Sequence, residues 1–420
     1  MKIRKDFLSR DEALETLGVK TATLYSYVSR GLIRSIPAEG TNKHLYSRDD
    51  IERFAARGRG RVPRSVVAGA SMRWGEPVVN SSITYIGERG PVYRNRVALD
   101  IAQAGYPFEI VVHFLITGVW QETQGDWPNA DIPKDVQALL AAHAKAVVPG
   151  DIGSLMAMVS LALGMRGRDQ REMADGTTVQ TARLLLQVFA GCMGFVSREG
   201  RHAARERGES LASYVLRASG ARVTPEAVRT INAALVILAD HELAPATLAA
   251  RVAASIDAGL CNCIAAAISA HVGYSTGAVT ERVETQLFDV CTQSALEAKC
   301  DTVRAYGASL FGFNHPLYPH GDPRAELLLS LAQACGKSRE SVRNIVGFLE
   351  RVKKQAGMTP GLAIGLVALT RALGLPNGSA TALWVIARTA GWVAHVVEQR
   401  TQAFMLRPRA KYISAMKGPD

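Results

Sequence analysis

Residues 312–325 read Gly-Phe-Asn-His-Pro-Leu-Tyr-Pro-His-Gly-Asp-Pro-Arg-Ala, and they set His315 nine residues ahead of Arg324 with Asp322-Pro323 fixing the turn between them. A neutral imidazole can polarise a carbonyl, and a guanidinium can clamp a carboxylate through two parallel bonds. A His and an Arg delivered by one short segment therefore suit an α-keto dicarboxylate. The plainer reading of the same residues is a helical core with a capped Asp-Pro turn.

Working outward, three further segments carry the same kind of chemistry. Ala239-Asp240-His241-Glu242-Leu243 holds a second His; Ala387-Arg388, with Ala390-Gly391-Trp392 and Ala394-His395, holds an Arg in an apolar run; Arg407-Pro408-Arg409-Ala410-Lys411-Tyr412 is basic. In this order and spacing the segments, and the chain over roughly residues 65–413, resemble the citrate synthase family, whose signature is G-F-G-H-x-x-Y-x-x-x-D-P-R-A. The resemblance implies that His241, His315, Arg324, Arg388 and Arg407 bind oxaloacetate or citrate. It implies that Arg407 crosses a homodimer interface into the partner's site. His315 also stands at a catalytic position of the family.

Two departures bear on the chemistry. The family places a catalytic His in a P-x-H-G-G-A loop; here the loop reads His271-Val-Gly-Tyr-Ser-Thr276-Gly-Ala, so Thr276 stands where the His should be. The family also needs an Asp in a P-N-x-D-F loop; here Thr359-Pro360-Gly361-Leu362-Ala363-Ile364 puts Ala363 at the base position. A shifted alignment does not supply the carboxylate, because no Asp or Glu lies between Glu350 and Glu398. Joining acetyl-CoA to oxaloacetate begins by taking a proton from the thioester methyl. That step needs a base and a donor facing the developing enolate oxygen. A lost base costs about 10²–10⁴ in rate, and a lost oxyanion donor about 10²–10³. His271 is the one evident stand-in for the missing His. A third departure is Asn314, where the family has Gly; a side chain there is expected to crowd the approach of CoA.

Composition sets the frame. The chain has 420 residues, 48% hydrophobic and 21% charged, enough for two or three domains with a sizeable core. No charged segment followed by an apolar run opens it, so no secretory signal is expected. Ala380–Val397 is apolar but contains Arg388 and His395, which favours a buried helix over a membrane span. Six scattered cysteines read as reduced core thiols, with no metal-binding spacing, and the cytoplasm is the expected compartment. No cofactor is implied, acetyl-CoA being a cosubstrate only in an active enzyme. Residues 1–64 carry 14 Lys/Arg against 8 Asp/Glu, an excess of six out of the chain's +11. That asymmetry points to an acidic partner for the N-terminus.

The N-terminal residues spell a pattern of their own. Ser9-x-x-Glu12 is a capping box, Ala13, Leu14 and Leu17 give the helix an apolar face, and Gly18-Val19-Lys20 turns the chain. Thr21–Arg30 reads as a second helix stopped at Gly31, Leu32–Tyr46 as a hairpin, and Ser47-x-x-Asp50 as the cap of a third helix. The order helix, turn, helix, wing, helix resembles the DNA-binding domain of MerR-type (mercury-resistance regulator) proteins. The resemblance implies that Thr21, Thr23, Tyr25, Ser26 and Arg30 face DNA in the major groove, with Lys43, His44 and Arg48 near the backbone. The plainer reading is a docking element for another protein.

The expected architecture is mainly α. A small winged helix-turn-helix domain (1–56) and a basic linker (57–64) precede a two-domain, all-helical body like that of citrate synthases. Its large domain is 65–275 with 373–420, and its small domain is 276–372. Helices are expected at 96–119, 151–164, 178–193, 225–239, 246–271, 280–297, 323–335, 339–354, 360–373 and 379–403, after short strands within Trp74–Tyr93. Three functions fit: a carboxylate-sensing, DNA-binding homodimer without synthase activity; an active citrate or 2-methylcitrate synthase; or a subunit pairing with an intact relative.

Overall fold

The computed structural model describes residues 7–19, 21–29, 33, 35–37, 44–48, 50–51, 79–123, 125, 127–165, 172, 176–306, 311–336 and 339–408. Contacts divide the chain into two units, residues 1–80 with 407–420, and residues 81–406.

In the first unit the chain runs β1 (Phe7–Leu8), α1 (Arg10–Leu17), α2 (Thr21–Ser29), β2 (Ser35–Pro37) and β3 (His44–Ser47). Ser9 caps α1: its side chain accepts the Glu12 N–H at 3.3 Å while the Glu12 carboxylate accepts the Ser9 N–H at 2.7 Å. Gly18, at φ 64°, ends the helix in the left-handed region that glycine enters without penalty. The strands form an antiparallel sheet in the order β1-β3-β2. Leu8, Ala13, Leu17, Leu24, Ile33, Tyr46 and Ile51 make one apolar cluster beneath it. Strand β1 is too short to leave a period-two signal in the sequence. The expected linker at 57–64 lies outside the described residues.

The second unit opens with an antiparallel sheet, β4 (Thr84–Gly87), β5 (Gly90–Tyr93) and β6 (Arg96–Val97), turning at Glu88-Arg89. Helices follow: α3 (Ala98–Gln103), α4 (Phe108–Thr117), α5 (Lys134–Ala142), α6 (Ile152–Gly164), α7 (Thr178–Val196), α8 (Leu211–Ala218), α9 (Pro225–Leu238), α10 (Pro245–Ala254) and α11 (Leu260–His271). Then come α12 (Ala278–Arg282, running into a π turn at Val283–Leu287), α13 (Gln293–Tyr306), α14 (Pro323–Cys335), α15 (Glu340–Ala356), α16 (Leu362–Leu373) and α17 (Ser379–Gln402). The expected small-domain residues 276–372 lie within this unit.

Several boundaries differ from the sequence reading, for local reasons. The expected helix 96–119 breaks at Gly105, which sits at φ 77°, and restarts behind Pro107. The expected helix 246–271 breaks after Ala254, where Asp257 takes φ 57° and Gly259 precedes α11. The expected helix 280–297 ends in the π turn and resumes at Gln293. Helices α5 and α8 were not foreseen, being only about two turns long.

Helix α17 is the axis of the unit. It packs against α4, α7, α9, α10 and α11, and its most apolar window is 89% buried inside the fold. By length and composition it could cross a membrane, yet here it is a core helix. Close approach depends on small residues. A Cβ at Gly391 would lie 2.6 Å from the Ala239 carbonyl oxygen and nearer still to Asp240 Oδ1. Gly365 lets α16 cross α14, since a Cβ there would press on Ala325 and Leu328. Replacing Gly391→Ala is therefore expected to destabilise the fold by about 1–3 kcal/mol through overpacking. Denaturant unfolding of the variant checks this, and an unchanged midpoint would show that the turn at Asp240 yields freely.

Candidate functional site

Asp322 caps α14 by accepting the Arg324 N–H at 3.0 Å, and Pro323 occupies the first helical position. The same carboxylate takes Arg324 Nε at 3.0 Å and its terminal nitrogen at 2.7 Å. Arg324 is only 2% exposed, so the pair is a buried bidentate one. Burial opposes the Arg324 charge, and Asp322 more than offsets it.

Tyr318 stands at the centre of the group. Its hydroxyl lies 2.8 Å from His241 Nε2, and the Arg324 guanidinium lies 5.2 Å over its ring. The His241 and His315 rings meet edge-on at 5.4 Å, and the His315 and Tyr318 rings lie 5.1 Å apart. His241 is buried and His315 half-buried. Burial, then Arg324 and Arg388, hold the His241 imidazole well below its ordinary range, and burial with Arg324 lowers His315. Both rings are thus neutral near pH 7. Burial pushes the Tyr318 hydroxyl up to about 12, so it too is neutral and keeps its proton.

Arg388 reaches this cluster from the middle of α17. It is 3% exposed, its Nε donates to the Leu238 carbonyl at 2.9 Å, and one terminal nitrogen is buried without a hydrogen-bond partner among the described residues. Burial lowers its hold on the proton, and Asp240 opposes that loss. Asp240 is fully buried; burial works against its ionisation, but His395 and Arg388 outweigh it and hold the carboxyl below the usual range. The structure therefore gathers His241, His315, Arg324 and Arg388 around Tyr318. Arg407 is exposed and is grouped with the first unit.

The two departing positions are also placed. The Thr276 hydroxyl donates 2.6 Å to the His271 carbonyl, closing the end of α11, so its proton is already committed. Ala363 is buried in the first turn of α16. The loop before it pairs with the His315 loop: Phe313 bridges Pro360, and the Gly361 N–H donates to the Gly312 carbonyl at 2.8 Å. Asn314, at φ 56°, accepts the Thr359 N–H on its side-chain oxygen at 2.9 Å. That side chain is turned to its neighbour loop as a staple. His271 is buried edge-on to Trp384 (4.8 Å) and Trp392 (5.6 Å), its Nε2 has no hydrogen-bond partner among the described residues, and burial lowers it to about 3.

Sequence reasoning missed Tyr318, Asp322 as a charge partner, Asp240 and Glu242. Tyr318 was visible inside the 312–325 segment, but nothing in a linear pattern says that its hydroxyl meets a residue 77 positions away. Glu242 is half-buried beside His241 at φ 56°, and burial with Asp240 raises its carboxyl. In the first unit, Tyr25 is 50% exposed, His44 and Arg48 are exposed, and Thr21 and Thr23 are half-buried on α2. The Ser26 side chain, Arg30 and Lys43 lie outside the described residues.

Comparison with known proteins bears on the family and the fold. The family profile described as citrate synthase, C-terminal domain, matches residues 71–409. Citrate synthase 2 of Bacillus subtilis is 29% identical over 212 residues, which is 50% of this chain and 56% of that protein. The match thus spans little over half of that relative. The citrate synthase of Deinococcus radiodurans is 25% identical over 298 residues, 68% of this chain and 78% of that one. The solved Thermoplasma acidophilum citrate synthase, a ternary complex with carboxymethyl coenzyme A and oxaloacetate, superposes with a TM-score of 0.71 at 21% identity, covering 82% of this chain and 96% of that one. At that identity the superposition speaks for the fold.

Among the described residues the Tyr318 hydroxyl is the hydrogen-bond partner of His241 Nε2. Tyr318→Phe leaves that nitrogen buried and unpaired, an expected cost of about 1–3 kcal/mol. Chemical denaturation reads the loss; a variant as stable as the parent would mean that the bond contributes nothing.

Proposed function

The chain belongs to the citrate synthase family, and from that premise we propose that it is a carboxylate-binding, DNA-binding regulator with little or no synthase activity. The observation that carries this reading is the contrast within one site. Two neutral histidines and Arg324 surround Tyr318, Arg388 acts on it electrostatically, and one Arg388 nitrogen has no partner among the described residues. Against this, the base position is a buried alanine and the oxyanion-donor position is a threonine whose proton is spent on a helix end. Such a pocket binds an oxaloacetate- or citrate-like acid: guanidinium for carboxylate, imidazole for carbonyl. It has no group at Ala363 to take a proton from a methyl.

The first unit supplies the second half of the proposal. Its capped helix, α2 and three-stranded sheet leave Tyr25, His44 and Arg48 exposed, in a segment carrying more than half of the chain's net charge. As a winged helix-turn-helix it would lay α2 in a major groove, and a homodimer would present two such units to a two-fold operator. Duplex binding by the full chain that weakens steeply with salt, and is lost on Arg48→Ala with Tyr25→Ala, is the expected behaviour. Salt-independent or variant-insensitive binding would remove this half.

The second reading, an active synthase, is favoured by the family-wide match and by Glu242, a half-buried carboxylate beside His241 with a raised hold on its proton. Thiol release from acetyl-CoA with oxaloacetate separates the two. A turnover of about 1 s⁻¹ or more, the low end of ordinary enzymes, would overturn the regulatory reading, and its loss in Glu242→Gln would identify the base.

Binding should also be linked to protons. His241 and His315 are neutral because burial and the arginines hold them low. A dicarboxylate adds negative charge and raises both, so the complex takes up protons. Affinity for oxaloacetate is then expected to rise as pH falls below the ordinary His value of about 6.5 and to decline as pH rises. Calorimetry in buffers of different ionisation enthalpy counts the protons. Uptake of none would show that the histidines do not face the acid, and heatless titrations with oxaloacetate and citrate would end the carboxylate reading altogether.

A further inference from the structure

Arg251 on α10 is fully buried, and it donates to four side chains on a single face of α17. Its Nε reaches Gln399 at 2.9 Å, one terminal nitrogen reaches Glu398 at 2.6 Å and His395 Nδ1 at 3.1 Å, and the other reaches Gln402 at 2.8 Å. A guanidinium has donors and no lone pair to offer. The His395 Nδ1 it addresses must therefore accept, which leaves the imidazole proton on Nε2. That nitrogen lies 3.2 Å from Asp240 Oδ2. The tautomer is thus dictated from α10, and it makes His395 a donor to Asp240.

Asp240 passes the constraint on in two directions. Its Oδ2 also accepts the Glu242 N–H at 3.2 Å, which closes the turn and holds Glu242 at φ 56° with His241 between them. Its charge supports the buried Arg388, which lies seven residues before His395 on α17. Arg388, Gly391 and His395 follow the three- and four-residue spacing of one helix face, and Gly391 lets Asp240 lie against that face. Glu398 closes the far end, accepting Ser82 N–H at 2.6 Å and the Ser82 hydroxyl at 2.8 Å.

We infer that Arg251 and His395 are positioning residues for the carboxylate pocket, acting through Asp240 to fix the His241 turn and to hold Arg388 in its orientation. This rests on the proposed carboxylate-binding reading. The partners described above for Arg251 and His395 lie on α17 and in the Asp240 turn, one step out from the His241–His315–Tyr318 cluster. Outer partners that orient metal-binding histidines typically change affinity or activity by about 10–100-fold when removed, and an effect of that size is expected here.

The test uses the full chain, with oxaloacetate and citrate as probes in calorimetry. His395→Leu removes the donor to Asp240; His395→Gln keeps one at the Nε2 position. His395→Leu is expected to bind at least about 10-fold more weakly, with His395→Gln close to wild type. A general packing role would weaken both alike, and that result overturns the inference, as does undiminished binding by His395→Leu. The tautomer, read on the wild-type chain by nitrogen-15 NMR of its histidines, decides the case even if a variant does not fold. A His395 proton on Nδ1 overturns the relay whatever binds. A proton on Nε2 with no binding of either acid overturns the reading of the pocket and leaves the relay standing.

Discussion

Arg388 sits in the middle of a 24-residue core helix with 3% of its surface exposed. A buried guanidinium stripped of its partners is worth several kcal/mol against folding, so much of the unit is arranged to prevent that. Leu238 at the end of α9 offers its carbonyl, Asp240 one turn later offers its charge, and Tyr93 from β5 holds that turn by donating to the Val236 carbonyl at 3.0 Å and accepting the Asp240 N–H at 3.2 Å. Gly391 is required because the turn must come within contact distance of α17. The apolar body of α17, the break after Leu238 and the small sheet all converge on one cation. A helix bearing leucine at that position would pack with fewer conditions.

The second arginine repeats the solution with a local partner. Arg324 is held by Asp322, two residues away, whose carboxylate also starts the helix. Each buried guanidinium therefore comes with its own carboxylate, and the two imidazoles carry no charge. The cluster is thus near electrical balance. An incoming diacid upsets that balance unless protons follow it, and the histidines held low by the arginines are the groups able to accept them. On the proposed reading, recognition and proton uptake are one event, whereas proton abstraction from a second substrate has no group to perform it at Ala363.

Much of the site was legible because it lies on local signals. The Asp-Pro cap of α14 places Arg324; the apolar run around Arg388 marks α17; Ser9 and Glu12 announce α1. What escaped the sequence is set by contacts distant along the chain. Tyr318 meets His241 across 77 residues, and His395 meets Asp240 across 155. Neither pairing leaves a periodicity. Helix boundaries failed where a single backbone choice decides them: Gly105 and Asp257, both at positive φ, each split what reads as one long amphipathic run. Helices α5 and α8 escaped because two turns fall short of the window of about 11–18 residues over which a period is read.

Asn314 shows how one substitution can serve fold and function together. Its backbone holds φ 56°, a region that asparagine tolerates better than most side chains. Glycine at this position would leave the neighbouring loop without a side-chain acceptor. Asparagine instead accepts the Thr359 N–H at 2.9 Å, while its own N–H donates to the Thr359 carbonyl at 2.8 Å, so the His315 loop and the loop leading to Ala363 are bonded in both directions. Two loops stapled in this way resist being parted. In an enzyme that must admit a thioester between a histidine and a base, such a staple would work against entry of the substrate. In a protein that only holds a small acid against His241, His315 and the two arginines, the same staple reduces the conformational freedom lost on binding. On the proposed reading, Asn314 and Ala363 favour the same task, since a loop with no proton to transfer gains nothing from remaining open.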